Sequence, residues 1–215
     1  MKLINLPNYL LGLLFPTTCL GCSRPGEIIC YDCLDQIPPS LDESTEIKAR
    51  FAYSNDLIRH SIHKFKFGGK FAMHRALAMH LSELIVEDLA ETLEFESFAQ
   101  PIVIPIPMTR KKVRERGYNQ AELLARTIAK ILGYEFNKKA LIKNRETFSQ
   151  VSQKSRTGRL HNLSNSFSVS DSGLVYGRNI ILIDDVHTTG ATITLARRTL
   201  EEAGANKVRA YTLAH

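Results

Sequence analysis

The sequence predicts an α/β protein: a mostly parallel sheet flanked by helices, with a small cysteine-bound module near the N-terminus. Three observations carry this. Ile180-Ile181-Leu182-Ile183 is a short apolar run that leads through Asp184, Asp185 and a loop of small and hydroxyl residues into a helical pattern. Such a run is the mark of a strand buried on both faces of a parallel sheet. Residues 101–107, centred on Ile102-Val103-Ile104, repeat the arrangement of apolar run, polar loop and helix. All four cysteines fall between positions 19 and 33, as Cys19-Leu20-Gly21-Cys22 and Cys30-Tyr31-Asp32-Cys33.

The length of 215 residues suffices for one α/β domain with its own core plus an appendage. A 44% hydrophobic fraction with mixed charges is that of a globular chain. The net charge of +6 favours an anionic partner, whether nucleotide, pyrophosphate or nucleic acid. The absence of Trp makes no case for an extended base-stacking surface.

From the N-terminus, residues 3–15 are fairly apolar and end near Cys19, as a lipoprotein signal would. Asn5, Pro7 and Asn8 interrupt the run, Thr18 is a poor neighbour for a lipidated Cys, and no small-residue cleavage site is clear. No stretch approaches the roughly 20 apolar residues of a membrane span. Residues 10–15 are therefore expected as an amphipathic segment packed on the protein, with no membrane insertion and a cytoplasmic location.

Two Cys-x-x-Cys knuckles give four sulfurs, which suits tetrahedral Zn²⁺. Pro25 and Gly26 turn the connector between them. Disulfides fit poorly with a reducing cytoplasm, a redox site does not need two copies, and an iron–sulfur cluster usually has another spacing. Four sulfurs close a site, so Cys19, Cys22, Cys30 and Cys33 are expected to hold a structural zinc. That ion would organise a stretch too small for its own core.

Pro38-Pro39-Ser40 marks a boundary, giving a module over 1–40 and a main domain over 41–215. Residues 47–53 alternate weakly, as a strand does. Leu57, Ile58, Ile62 and Phe65 recur at helical spacing until Gly68-Gly69, and residues 71–89 form a second helix. Here Lys64, Lys66 and Lys70 either extend a basic surface or lie on a solvated face. His60, His63, His74 and His80 read as surface or core residues rather than ligands. Residues 108–120 follow the strand at 101–107 as a basic loop that opens a helix over 119–132, stopped by Gly133. A basic loop at a helix start is a geometry that binds anions. Residues 143–165 are polar without a period and read as a long loop. Strands follow at 167–169 and 179–183, then a helix over 191–203 and a closing strand at 208–213.

The chemistry concentrates at residues 184–192. Two carboxylates at the carboxyl end of a buried strand stand where open α/β sheets bind ligands. The loop after them offers hydroxyls, free N–H groups and a helix N-terminus, which together cradle a phosphate. Acids beside a phosphate cradle suit a sugar phosphate: the acids take ribose hydroxyls, directly or through Mg²⁺, and the loop takes the 5′-phosphate.

This stretch resembles the phosphoribosyl-diphosphate (PRPP) motif of type I phosphoribosyltransferases. By that resemblance Thr188, Thr189, Gly190, Ala191 and Thr192 bind the 5′-phosphate, and Asp184 and Asp185 bind ribose as the catalytic acids. His187 stands where an apolar residue is expected, and no role is given to it. The four-Cys module, Lys66-Phe67-Gly68-Gly69, Arg114-Glu115-Arg116-Gly117-Tyr118-Asn119-Gln120 and the terminal motif occur in the order found in the competence protein F (ComF) family. Thr147, Gln150, Arg159, Asn162 and Phe167 also resemble its central pattern. The resemblance covers nearly the whole chain. It implies a type I phosphoribosyltransferase-like core with a zinc-binding N-terminus, and a link to natural transformation, where imported single-stranded DNA is handled. By fold analogy Arg116, Gly117 and Tyr118 hold pyrophosphate, with Mg²⁺ arriving alongside PRPP. Lys154, Arg156 and Arg159 lie in the position of the loop that closes over PRPP. Arg110, Lys111, Lys112 and Arg114 either meet DNA phosphates or form a solvated charged loop. Three functions compete: DNA handling with PRPP as a ligand, alongside the DNA-uptake machinery; a phosphoribosyltransferase with an unidentified acceptor; and a PRPP-responsive interaction module. The first is favoured.

Overall fold

The computed structural model describes residues 17–40, 47–67, 71–91, 97–144 and 166–215. The expected N-terminal amphipathic segment and the loop residues Lys154, Arg156 and Arg159 lie outside them. The described helices and strands run in the order α1 (Tyr31–Asp35), β1 (Ile47–Phe51), α2 (Asp56–Phe67), α3 (His74–Glu91), β2 (Ile102–Pro105), α4 (Arg110–Arg116), α5 (Gln120–Leu132), β3 (Glu135–Phe136), β4 (Leu141–Lys143), β5 (Phe167–Val169), β6 (Asn179–Val186), α6 (Ala191–Glu202) and β7 (Lys207–Ala214).

Five strands form one sheet in the order β1-β7-β6-β2-β3, every neighbouring pair parallel. β4 and β5 make a separate antiparallel pair. The sheet is apolar on both faces because alternate side chains point to opposite sides. Val103, Ile181, Ile183, Tyr211 and Leu213 pack with α2, α3 and α5. Ile102, Ile104, Ile180, Leu182, Val208 and Ala210 pack with Ile193, Ala196 and Leu200 of α6 and with Leu141 and Phe167. Buried Asp88 ties α3 to β7, accepting from the Arg209 guanidinium at 2.6 Å and the Tyr211 hydroxyl at 2.7 Å. Among the described residues no helix is long and apolar enough to cross a membrane.

Two elements differ from the sequence reading. β6 runs on to Val186, so the acids lie inside the strand rather than after it, because β7 continues beside them and pairs Asp184 with Thr212. Most of the expected basic loop is the helix α4. Thr109 starts it, its hydroxyl accepting from the Lys112 N–H at 3.4 Å, and left-handed Gly117 ends it. No α4 side chain is buried, so no apolar period marked it in the sequence. The loop expectation for α4 is therefore corrected: the four cations Arg110, Lys111, Lys112 and Arg114 stand exposed on one helical turn after another.

Candidate functional site

The carboxyl edge of the sheet is where β6 hands over to α6. Asp184 accepts the Asp185 N–H at 2.8 Å, and Asp185 accepts the Val186 N–H at 2.7 Å, so each acid is oriented by the next amide. Burial, then the charge of Asp185, pushes the Asp184 carboxyl up to about 7 against the pull of Lys66 and Lys143. Asp185 is buried, and Lys66 of α2 reaches it at 3.2 Å.

Beyond β6 the chain turns through exposed Thr188 and Thr189 to Gly190 at φ +69°. The left-handed conformation favours glycine, and a Cβ there would stand 2.8 Å from Ile47 Cδ1, so that side chain would also have to shift. Gly190 brings no capping side chain to α6, and the first N–H groups of a helix have no acceptor within it. Asp184 and residues 186–193 line a pocket of about 90 Å³ here. The positive helix end and the hydroxyls make it an anion cradle beside an acid pair.

His187, without a role in the sequence reading, braces this loop. Its Nδ1 lies 2.9 Å from Thr212 Oγ1, its N–H donates to the Ala214 carbonyl, and its ring stacks on His215 at 4.3 Å and 7°. His215 Nε2 in turn lies 2.9 Å from the Thr188 carbonyl oxygen. The only sequence signal was a polar residue at an expected apolar position.

Two stretches far apart in sequence, residues 65–67 and 116–120, meet at the C-terminal end of α2. The Tyr118 hydroxyl donates to the Phe65 carbonyl, and Gln120 Nε2 reaches the Phe65 and Lys66 carbonyls at 3.5 and 3.4 Å. Burial pushes the Tyr118 phenol up. Arg116 lies 5.1 Å above the Phe67 ring and donates to Gln120 Oε1 at 3.4 Å, while Gly117 takes the left-handed turn at φ +83°. Asn119 caps α5 through the Ala121 N–H and donates to the Ile106 carbonyl, which fixes α5 to the end of β2.

The four cysteines converge, with all their sulfurs within 4.8 Å of one another. Four sulfurs about 2.3 Å from a tetrahedral Zn²⁺ stand about 3.8 Å apart. Cys19 and Cys30 sulfurs are 3.6 Å apart, and Cys22 and Cys30 3.8 Å. Burial raises the Cys19 thiol, but N–H groups of Cys22, Cys30 and Gly21 outweigh it and bring it down to about 6. Its hydrogen bond to Cys30, then burial, pushes Cys33 up to about 12. Gly21 is obligatory, since a Cβ there would lie 2.7 Å from Cys33 Sγ. The donor set and spacing fit a closed zinc site. The module has no separate core: Ile28, Ile29, Leu34 and Ile37 join the cluster of α2 and α3.

Residues 77–215 match the phosphoribosyl transferase domain family. Competence protein ComFC of Bacillus subtilis (strain 168) is 32% identical over 200 residues, covering 91% of this chain and 76% of that protein. Competence protein ComFC of Streptococcus pneumoniae is 31% identical over 184 residues, with 86% and 74% covered. DNA utilization protein YhgH of Escherichia coli (strain K12) is 26% identical over 201 residues, with 92% and 83% covered. Among solved structures, glutamine phosphoribosylpyrophosphate amidotransferase from B. subtilis superposes with a TM-score of 0.46 at 19% identity, covering 70% of this chain and 30% of that one. A domain match over most of the chain, joined to competence relatives above 30% identity, leaves one assignment: the chain belongs to the competence protein F (ComF) family, built on a phosphoribosyl transferase domain.

Proposed function

We propose that this protein binds PRPP and acts in natural transformation, handling imported single-stranded DNA in the cytoplasm with the DNA-uptake machinery. The observation that carries the PRPP reading is the acid pair of β6 opening into the cradle at the start of α6. In this reading residues 188–192 hold the 5′-phosphate, Asp184 and Asp185 hold the ribose hydroxyls, and residues 116–118 lie on the pyrophosphate side. Mg²⁺ brought with PRPP would neutralise pyrophosphate oxygens. The module over 1–40 holds a structural zinc through its four cysteines, and 41–215 forms the ligand-binding domain. Relatives named for competence and DNA utilization support the DNA part, as does the exposed basic face of α4.

Calorimetric titration with PRPP and Mg²⁺ tests the first part. Wild type should bind, and Asp184→Asn with Asp185→Asn should weaken binding at least roughly tenfold, about 1.4 kcal/mol. No binding by wild type at millimolar PRPP ends the reading. For DNA, single-strand affinity should fall with salt with a log–log slope near −0.7 per phosphate contact. Replacing Arg110, Lys111 and Lys112 with Glu should weaken DNA binding and spare PRPP.

One observation favours a transferase as the second reading. It is the same acid pair at the end of β6, which in that reading would face the ribose as positive charge develops at its anomeric carbon. Ionised acids there would stabilise that charge. Pyrophosphate release from PRPP, screened across bases and amines, tests it; silence across the screen counts against it.

A further inference from the structure

Phe67 closes α2 with 62% of its surface exposed. A lone exposed apolar side chain is ordinary, but this one is built in on three sides. The Arg116 guanidinium lies over one face of its ring at 5.1 Å, and the His63 ring stands 5.1 Å away. The two preceding carbonyls, of Phe65 and Lys66, are gripped by Tyr118 and Gln120. Its neighbour Lys66 points to Asp185, so the ring stands one residue from the acid site. The other exposed apolar groups lack this setting. Tyr176 covers Gly204, and Met79, Val86 and Ile131 line a groove rimmed by Glu83 and Glu87, where a polyanion is repelled.

An exposed aromatic ring with a cation against it is a composition that binds single-stranded nucleic acid: the ring stacks a base and nearby cations take phosphates. We propose that Phe67, with Arg116 on one face of its ring and Lys64 three residues earlier in the same last turn of α2, is a nucleobase platform at the rim of the acid site, holding one base of a single strand whose backbone continues towards α4. The proposal rests on the DNA-handling reading and adds a base contact to it. The platform is sequence-tolerant, since every base has a stacking face.

The sequence contains no Trp, so Phe67→Trp installs a sole tryptophan, which can be excited selectively over the tyrosines. Phe67→Ala should weaken binding of a short oligothymidylate roughly tenfold at every salt concentration, while the salt slope stays at the wild-type value, because stacking releases no counterions. Phe67→Trp should restore affinity, and its emission should be quenched by the oligonucleotide. A chain of abasic sites with the same phosphates should bind wild type and Phe67→Ala alike. The side chain is exposed, so thermal melting should be unchanged in both variants. Wild-type affinity in Phe67→Ala, or an unquenched Trp, overturns the platform while leaving the DNA reading intact. If wild type binds no oligonucleotide at any salt, the DNA reading fails and the platform with it.

Discussion

Gly190 shows how one residue sets the proposed anion site. Its left-handed φ turns the chain from β6 into α6, and Ile47 of β1 fills the space a methyl group would need. Gly190→Ala should cost about 2 kcal/mol or more of stability, from strain plus overpacking, and should abolish PRPP binding measured by calorimetry. Asp184 gives a pH prediction. Its folded-state value of about 7 lies above the ordinary carboxyl value of 3.8, so between those values the unfolded chain has released a proton that the folded one keeps. Stability from this group is full below about pH 4 and falls as pH rises to about 7. Asp184→Asn should therefore gain on wild type across that window in denaturant titrations; a constant difference would contradict the assignment. The acids and the threonine loop were legible in the sequence because they are contiguous. The placement of Lys66, Lys143 and His215 was not, because only the fold brings them to residues 184–188.

The join between α2 and α5 explains why two distant motifs accompany each other. Residues 65–67 present carbonyls and Lys66, and residues 116–120 supply the groups that hold them. Tyr118→Phe removes one buried hydrogen bond and should cost about 1–2 kcal/mol in chemical denaturation. It should also weaken PRPP binding by loosening Lys66 beside Asp185; unchanged PRPP affinity would mean that the ion pair stands without the latch. Long periodic elements such as α3 and α5 were readable, with Leu77, Leu81, Ile85 and Leu89 recurring at four-residue steps. The short ones were not. α4 exposes every side chain or half-buries it, β3 has two residues, and α1 is a single turn that follows Cys30 and carries Cys33. None is long enough to carry a hydrophobic period, and each is held by caps or by tertiary contact.

In the molecule as a whole, the cysteine module and the sheet domain share one core. Tyr31 of α1 stacks on buried His80 at 4.2 Å and donates to Glu83 at 2.7 Å, while Leu34 is fully buried. Chelation of bound zinc, or Cys30→Ser, should accordingly lower the melting temperature of the whole protein by more than about 5 °C in a single transition. A separate early transition in calorimetry would show an independent module instead. The two-sided burial of the sheet was legible from its apolar runs, but the strand order was not: β1 is an edge, paired to the last strand rather than to its neighbours in sequence.

That edge pairing has a consequence for synthesis. β1 meets β7 in register from Ile47 opposite Ala210, about 160 residues later. At ribosomal speed, β1 waits on the order of ten seconds for its partner strand. Contacts this remote in sequence also slow spontaneous closure. The nascent chain thus carries a strand with an unpaired apolar face until β7 has been made, and a chaperone that shields that segment should raise the yield of folded protein.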